Sequence, residues 1–230
     1  GIACFAFEVN PLMYLIARVK LENGYELERF EYWYDYIVKE RSKKIVELET
    51  EFNTLYQGEG KKKWNYNTDI GIAVEKLRQV IESISEVIYK ELFKVALAAI
   101  LLDVSNLYRN GKCLSYKKKW EDRKIVEKDV FDKFDEKVLK ELKCDIENSI
   151  TRTKINNKER LYNQDSRIGI ANEVDDNSID LVITSPPYLN SRDYTDTYML
   201  ELKTLGFTKT SEEIKELREK TLRSHVQIKW

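Results

Sequence analysis

Ile179-Asp180-Leu181-Val182-Ile183-Thr184-Ser185-Pro186-Pro187-Tyr188 is the stretch on which the reading of this chain turns. Leu181 to Ile183 are aliphatic or β-branched, the residue types of a buried parallel strand. Pro186 and Pro187 forbid its continuation, because neither supplies an N–H to a ladder and each fixes its own φ. Pro187 also restricts Pro186, so the pattern predicts a strand over 179–184 that ends in a stiff turn. Open α/β sheets hold their ligands at this end of a strand. Ser185 brings a hydroxyl, Pro186 a carbonyl with no ladder role, and Tyr188 an aromatic face. Such a shelf suits a planar base with an exocyclic amine. Ser185 Oγ and the Pro186 carbonyl accept the amine hydrogens, and Tyr188 stacks on the ring, worth roughly 1–3 kcal/mol. A plain strand-ending turn is the alternative.

Thr184-Ser185-Pro186-Pro187-Tyr188 resembles the catalytic motif of the amino-group DNA methyltransferases, which move a methyl from S-adenosylmethionine to N4 of cytosine or N6 of adenine. The continuation Leu189-Asn190-Ser191-Arg192-Asp193-Tyr194 looks like the variant found in bacterial and archaeal modification methylases. Ser185, Pro186, Pro187 and Tyr188 are therefore the expected catalytic residues. The resemblance favours N4 of cytosine, since serine in the first position of the tetrapeptide is the commoner choice there. N6 of adenine, an RNA amine and a non-catalytic helical scaffold stay open. The implied chemistry is direct transfer aided by orientation and electrostatics. A carbon-5 methylase would need a nucleophilic cysteine after a proline, and Cys4, Cys113 and Cys144 each lack one. Reaching a base within duplex DNA requires flipping it out.

Two companion segments extend the resemblance. Ile2 to Phe7 is an apolar run that ends in Glu8, followed by Asn10-Pro11 and by Leu12, Leu15, Ile16 and Val19 at helical spacing. This predicts a strand, a tight turn and a helix with proline in its first turn. An acid at such a strand tip is placed to accept ribose hydroxyls. Glu8 and Asn10 look like the cofactor-binding residues of the family. Gln164-Asp165-Ser166-Arg167 is similar to the segment that holds the cofactor adenine, which makes Asp165 the third expected cofactor residue, although family members more often have Gly at position 164. A plain turn over 163–166 is the alternative.

The implied fold class is α/β, a partial Rossmann-like methyltransferase sheet with a large, mainly helical insertion. It divides the chain into a first part of the cofactor unit (1–23), the insertion (24–160) and a second part carrying the catalytic motif (161–230). The family's glycine loop is expected ahead of Gly1 and its later strands beyond Trp230. The resemblance thus implies a piece of a larger enzyme, or a chain completed by a second segment or partner.

The 230 residues are 42% hydrophobic and 34% charged, with 14 Tyr, 8 Phe and 4 Trp, enough apolar mass for a core. Eight Gly and three Pro point to long helices with few turns. The cysteines are isolated and His225 is the one histidine, so no metal site is expected and a reducing, cytoplasmic setting is. No apolar run approaches membrane-spanning length.

Within the insertion, Phe30, Tyr32, Trp33, Tyr36 and Ile37 form an apolar stripe, and 58–63 reads as a loop. Ile72 to Leu92 carry helical spacing into the nearly all-apolar segment 95–102, expected to be buried on all sides. Val126, Val130, Phe134, Val138 and Leu142 recur every fourth residue and mark another long helix. Thr210 to Glu213 has capping-box spacing, which predicts a terminal helix from Ser211 to about Arg223. The net charge is −1, yet 107–124 holds Arg109, Lys112, Lys117, Lys118, Lys119, Arg123 and Lys124 against Glu121 and Asp122. Tyr108, Tyr116 and Trp120 interleave with them. A basic, aromatic-bearing loop suits phosphate contact and stacking, and the methyltransferase resemblance implies DNA as the partner. Arg152, Lys154, Lys158 and Arg160 form a second basic run. An ordinary solvated face is the alternative for either.

Overall fold

In the computed structural model, residues 4–111, 113–149, 160–184 and 194–221 are described, and everything said of structure here concerns those residues. The apolar periodicity of the insertion becomes helices. Strand β1 (Ala6–Phe7) leads into α1 (Pro11–Leu21), followed by α2 (Leu27–Arg41), α3 (Thr68–Glu82) and α4 (Val87–Val104). A hairpin of β2 (Leu107–Arg109) and β3 (Leu114–Tyr116) comes next, then a 3-10 turn at Trp120–Asp122. Helices α5 (Glu127–Lys137) and α6 (Lys143–Ser149) are joined through a π turn at Val138–Leu142. Strand β4 (Leu161–Tyr162), α7 (Ser166–Glu173), α8 (Tyr194–Thr197), α9 (Met199–Thr204) and α10 (Ser211–Lys220) complete the order.

The described chain is mostly helical, with two small two-stranded sheets. β1 and β4 pair in parallel, and β2 and β3 antiparallel. The core lies among the helices. Ile70, Ala73, Val74, Leu77, Val80 and Ile81 bury one face of α3, while Phe93, Ala96, Leu97, Ile100, Leu101 and Val104 bury most of α4. Leu12 from α1, Leu200 and Leu202 from α9, and Ile214 and Leu217 from α10 join the same cluster. One core therefore takes side chains from all three divisions of the sequence.

Three helical expectations need adjustment. On α2 the buried stripe is Phe30, Trp33, Ile37 and Arg41, whereas Tyr32 faces solvent and Tyr36 is half-buried. Its 3.6-residue turn rotates Tyr32 away from the face that carries Phe30 and Trp33. The 95–102 segment is not buried on all sides. Val95 and Ala99 line a groove of about 510 Å³ with Ile16, Val19 and Tyr25 on one wall and Leu142 and Ile146 on the other. The stripe from Val130 to Leu142 has a period of four, which overruns an α-helix. The π turn, where the Lys143 N–H donates to the Val138 carbonyl, takes up the excess and keeps Val130, Phe134, Val138 and Ile146 in the core. The terminal helix starts as expected. Thr210 Oγ1 accepts from the Glu213 N–H at 3.1 Å.

The largest departure concerns 179–184. No strand forms there, and Leu181, Val182 and Ile183 are 74%, 75% and 88% exposed. The physical reason is pairing. A strand needs a neighbouring backbone, and among the described residues β1 and β4 pair only with each other. The apolar side chains of 181–183 therefore lie in solvent. Ser185, Pro186, Pro187 and Tyr188 lie outside the described residues.

Candidate functional site

Two strand ends and the helices that follow them build the candidate site. Ala6 pairs with Leu161 and Phe7 with Tyr162, and the Phe7 and Tyr162 rings stack with centroids 5.2 Å apart. The Glu8 N–H donates to the Tyr162 carbonyl at 3.0 Å, carrying the ladder one residue further. Asn163 then clamps the two ends, its Nδ2 donating to the Glu8 carbonyl at 2.8 Å and the Val9 carbonyl at 3.2 Å. The clamp brings Glu8, Asn10 and Asp165 to one edge. Neither composition nor periodicity marks Asn163. Its one signal in the sequence is its place directly after an apolar pair.

Each strand hands over to a helix at this edge. Asn10 caps α1, its Oδ1 accepting from the Leu12 N–H at 3.0 Å and the Met13 N–H at 3.4 Å, with Pro11 at the first helical position. The Asn10 N–H in turn donates to Glu8 Oε1 at 2.7 Å. Asp165 caps α7 by accepting from the Arg167 N–H at 2.9 Å. Arg167 also folds its guanidinium back onto both Asp165 oxygens. That side-chain hydrogen bond holds the Asp165 carboxyl below the usual carboxylate range. Two capped helix N-termini thus follow the ends of two parallel strands.

S-adenosylmethionine can be tested against these groups. Glu8 spends Oε1 on Asn10, and no hydrogen bond to Oε2 is formed among the described residues, so a ribose hydroxyl finds an acceptor there. Asp165 is engaged at both oxygens by Arg167, whose side chain is half exposed. Glu8 therefore fits the ribose of that group, while the Asp165 carboxylate is held by Arg167.

The expected nucleic-acid residues divide into two kinds. Arg109 pairs with the buried Glu201, donates from Nε to the Thr197 carbonyl at 3.2 Å, and lies 5.2 Å from the Tyr198 ring centre. It pins the hairpin to α8 and α9. Burial pushes the Glu201 carboxyl up against the opposing effect of Arg109, and its Oε2 has no partner among the described residues. Lys117 caps the C-terminus of α4, donating to the carbonyls of Leu102, Asp103 and Ser105 at 3.1, 3.0 and 2.8 Å. Lys118 and Lys119 are exposed on the turn that follows β3. Lys112, Arg152, Lys154 and Lys158 lie outside the described residues. Of the aromatics, Trp120 is buried against Trp64 and Tyr116, while Tyr108 faces solvent. Among the described residues, no cluster of His, Cys, Asp or Glu is placed to hold a metal ion, and no helix is long and apolar enough to cross a membrane.

Known proteins resemble this chain in sequence. It is 33% identical over 159 residues to the type II methyltransferase M.BsoBI of Geobacillus stearothermophilus, which covers 61% of this chain and 31% of that protein. It is 31% identical over 160 residues to the type II methyltransferase M.AvaI of Nostoc sp. and of Anabaena variabilis, with the same coverage. The similarity is thus to the methyltransferase class. Within that class it is to the type II enzymes, the same DNA methyltransferase resemblance that Thr184 to Tyr188 carries. The chain spans about a third of the length of these relatives. No family model and no solved structure matches it.

Proposed function

We propose that this chain is part of a site-specific DNA methyltransferase that transfers a methyl from S-adenosylmethionine to the exocyclic amine of a flipped base, with N4 of cytosine favoured. The observation that carries this reading is the parallel pairing of β1 with β4, which sets Glu8, Asn10 and Asp165 on one edge. The similarity to type II methyltransferases supports it. In this reading β1 and β4 belong to a partial Rossmann-like sheet that a second segment or chain completes, and DNA is the partner in a cytoplasmic setting.

When bound, S-adenosylmethionine supplies an electrophilic methyl. Glu8 Oε2 accepts from its ribose while Asn10 holds the carboxylate in place through Oε1. Asp165, released by Arg167, accepts from the adenine amine. Ser185 Oγ and the Pro186 carbonyl accept hydrogens from the target amine. They draw its nitrogen toward tetrahedral geometry and aim its lone pair at the methyl. Tyr188 stacks on the extruded base.

One observation favours a second reading. The unpaired, exposed 181–183 segment would also suit a helical scaffold that does no chemistry. Ser185→Ala in the full-length protein separates the two. S-adenosylmethionine affinity is expected to hold, while single-turnover methylation of duplex DNA falls by about 10²-fold, the scale for loss of one preorganised partner. Wild-type transfer rates in the variant would end the assignment. Chromatography of the methylated nucleosides decides between N4 of cytosine and N6 of adenine.

A further inference from the structure

We infer that Lys62 and Lys63, in the loop between α2 and α3, join Lys118 and Lys119 in one phosphate-binding surface that grips the backbone of duplex DNA. The inference rests on the methyltransferase reading for the identity of its ligand. The two segments are more than fifty residues apart in sequence, and residue spacing marks 58–63 as nothing more than a loop. In the fold they abut. Trp64 meets Trp120 edge to face, with centroids 4.9 Å apart at 84°. Tyr116 donates from its hydroxyl to Asn65 Oδ1 at 3.2 Å. The Lys63 ammonium stands 5.5 Å from the Tyr116 ring centre.

Asparagines fix this joint. The Asn106 N–H donates to the Asn65 carbonyl at 2.8 Å. Asn106 Nδ2 donates to the Trp64 carbonyl and to Asn67 Oδ1, each at 3.1 Å. Asn67 Oδ1 also accepts from Trp64 Nε1 at 3.0 Å. Asn65 and Asn106 are buried, so these bonds are costly to leave unmade and hold the loop against the hairpin. The surface is held in advance of binding.

The lysines differ in what they are doing. Lys61 is tied to the Tyr56 carbonyl at 3.1 Å and Lys117 to the end of α4. Lys62, Lys63, Lys118 and Lys119 are exposed and make no ion pair or hydrogen bond from their ammonium groups among the described residues. Elsewhere, the helical lysines Lys76, Lys94, Lys128, Lys137, Lys140 and Lys143 each sit on a carboxylate. Residues 61–63 and 117–124 together carry eight cationic side chains against Glu121 and Asp122, inside a chain whose net charge is −1. Charge left unpaired on a rigid frame is what counterion release from a polyphosphate requires.

The test uses the full-length protein and compares binding to duplex DNA across a range of salt concentrations. Lys62→Ala with Lys63→Ala, and Lys118→Ala with Lys119→Ala, are each expected to flatten the slope of log affinity against log salt by about 0.9 for every phosphate that is no longer neutralised. The quadruple variant should show the sum. Lys128→Ala with Lys140→Ala on α5 and the π turn should leave the slope unchanged. An unaltered slope in the first pair would overturn the proposal. So would a slope change seen with duplex RNA and not with DNA. Methylation of the same duplex is measured alongside. Methyl transfer by wild type with unaltered salt slopes in the variants removes this surface and leaves the enzyme reading. Lysine-dependent slopes without any wild-type transfer do the reverse.

Discussion

In the sequence Lys117 is the first of three consecutive lysines that look alike, and the fold gives it a different task from its neighbours. Its ammonium closes three carbonyls at the end of α4, in the negative field of the helix terminus. Burial, with Arg123 beside it, pushes the amine down to about 8 from its ordinary 10.5. Between those values the unfolded chain holds a proton that the folded one has released, so stability contributed at this site rises with pH through that window. Lys117→Met is expected to cost about 1 kcal/mol at neutral pH, because it leaves three carbonyls at the helix end without their donor. Urea midpoints measured at neutral pH and again at about pH 9.5 should show wild type gaining on the variant. A constant difference would mean that Lys117 stays charged throughout. None of this was legible in a run of three lysines, because a helix end makes its demand on a residue more than ten positions away. The strand end at Glu8 and the helix start at Asn10 and Pro11 were legible, and their role toward a cofactor remains a proposal. Each directly follows an apolar run or precedes a helix, and local order is something a sequence displays.

Elements show the same division between local and distant causes. The helical character of α3, α4 and α5 could be read from spacing alone, as could the cap of α10, whereas the break at 83–86 that separates α3 from α4 could not. The strand expected over 179–184 depended on a partner, and pairing is not written in the residues being paired. At the nucleotide-type edge, α7 lies close against β1. A Cβ built on Gly169 would stand 2.5 Å from the Phe7 ring, which is itself stacked on Tyr162. Gly169→Ala must therefore displace α7 or break that stack, at about 1–3 kcal/mol for overpacking. Its Asp165 cap moves with the helix. Weaker S-adenosylmethionine binding with unchanged DNA affinity is the expected outcome, by calorimetry and by duplex titration. Equal loss of both would point to general unfolding instead.

At the scale of the whole molecule, α1 links the two regions. Its cap, Asn10, belongs to the strand-end edge, and Leu12, two residues on, belongs to the helical core. Phe134, fully buried in that core, is far from Glu8 in sequence and in function. Phe134→Ala should cost about 3–5 kcal/mol. Because α1 is shared, urea unfolding of the variant should stay a single transition, seen alike by helical circular dichroism and by loss of S-adenosylmethionine binding. Two separated transitions would mean that the edge and the core fold independently. The Trp64–Trp120 contact also has a consequence in optics. Two nearly perpendicular indoles 4.9 Å apart stand in each other's immediate environment, so near-ultraviolet circular dichroism of this pair is expected to change when loop and hairpin separate. Loss of that ultraviolet signal in the folded protein would report that the basic surface had come apart.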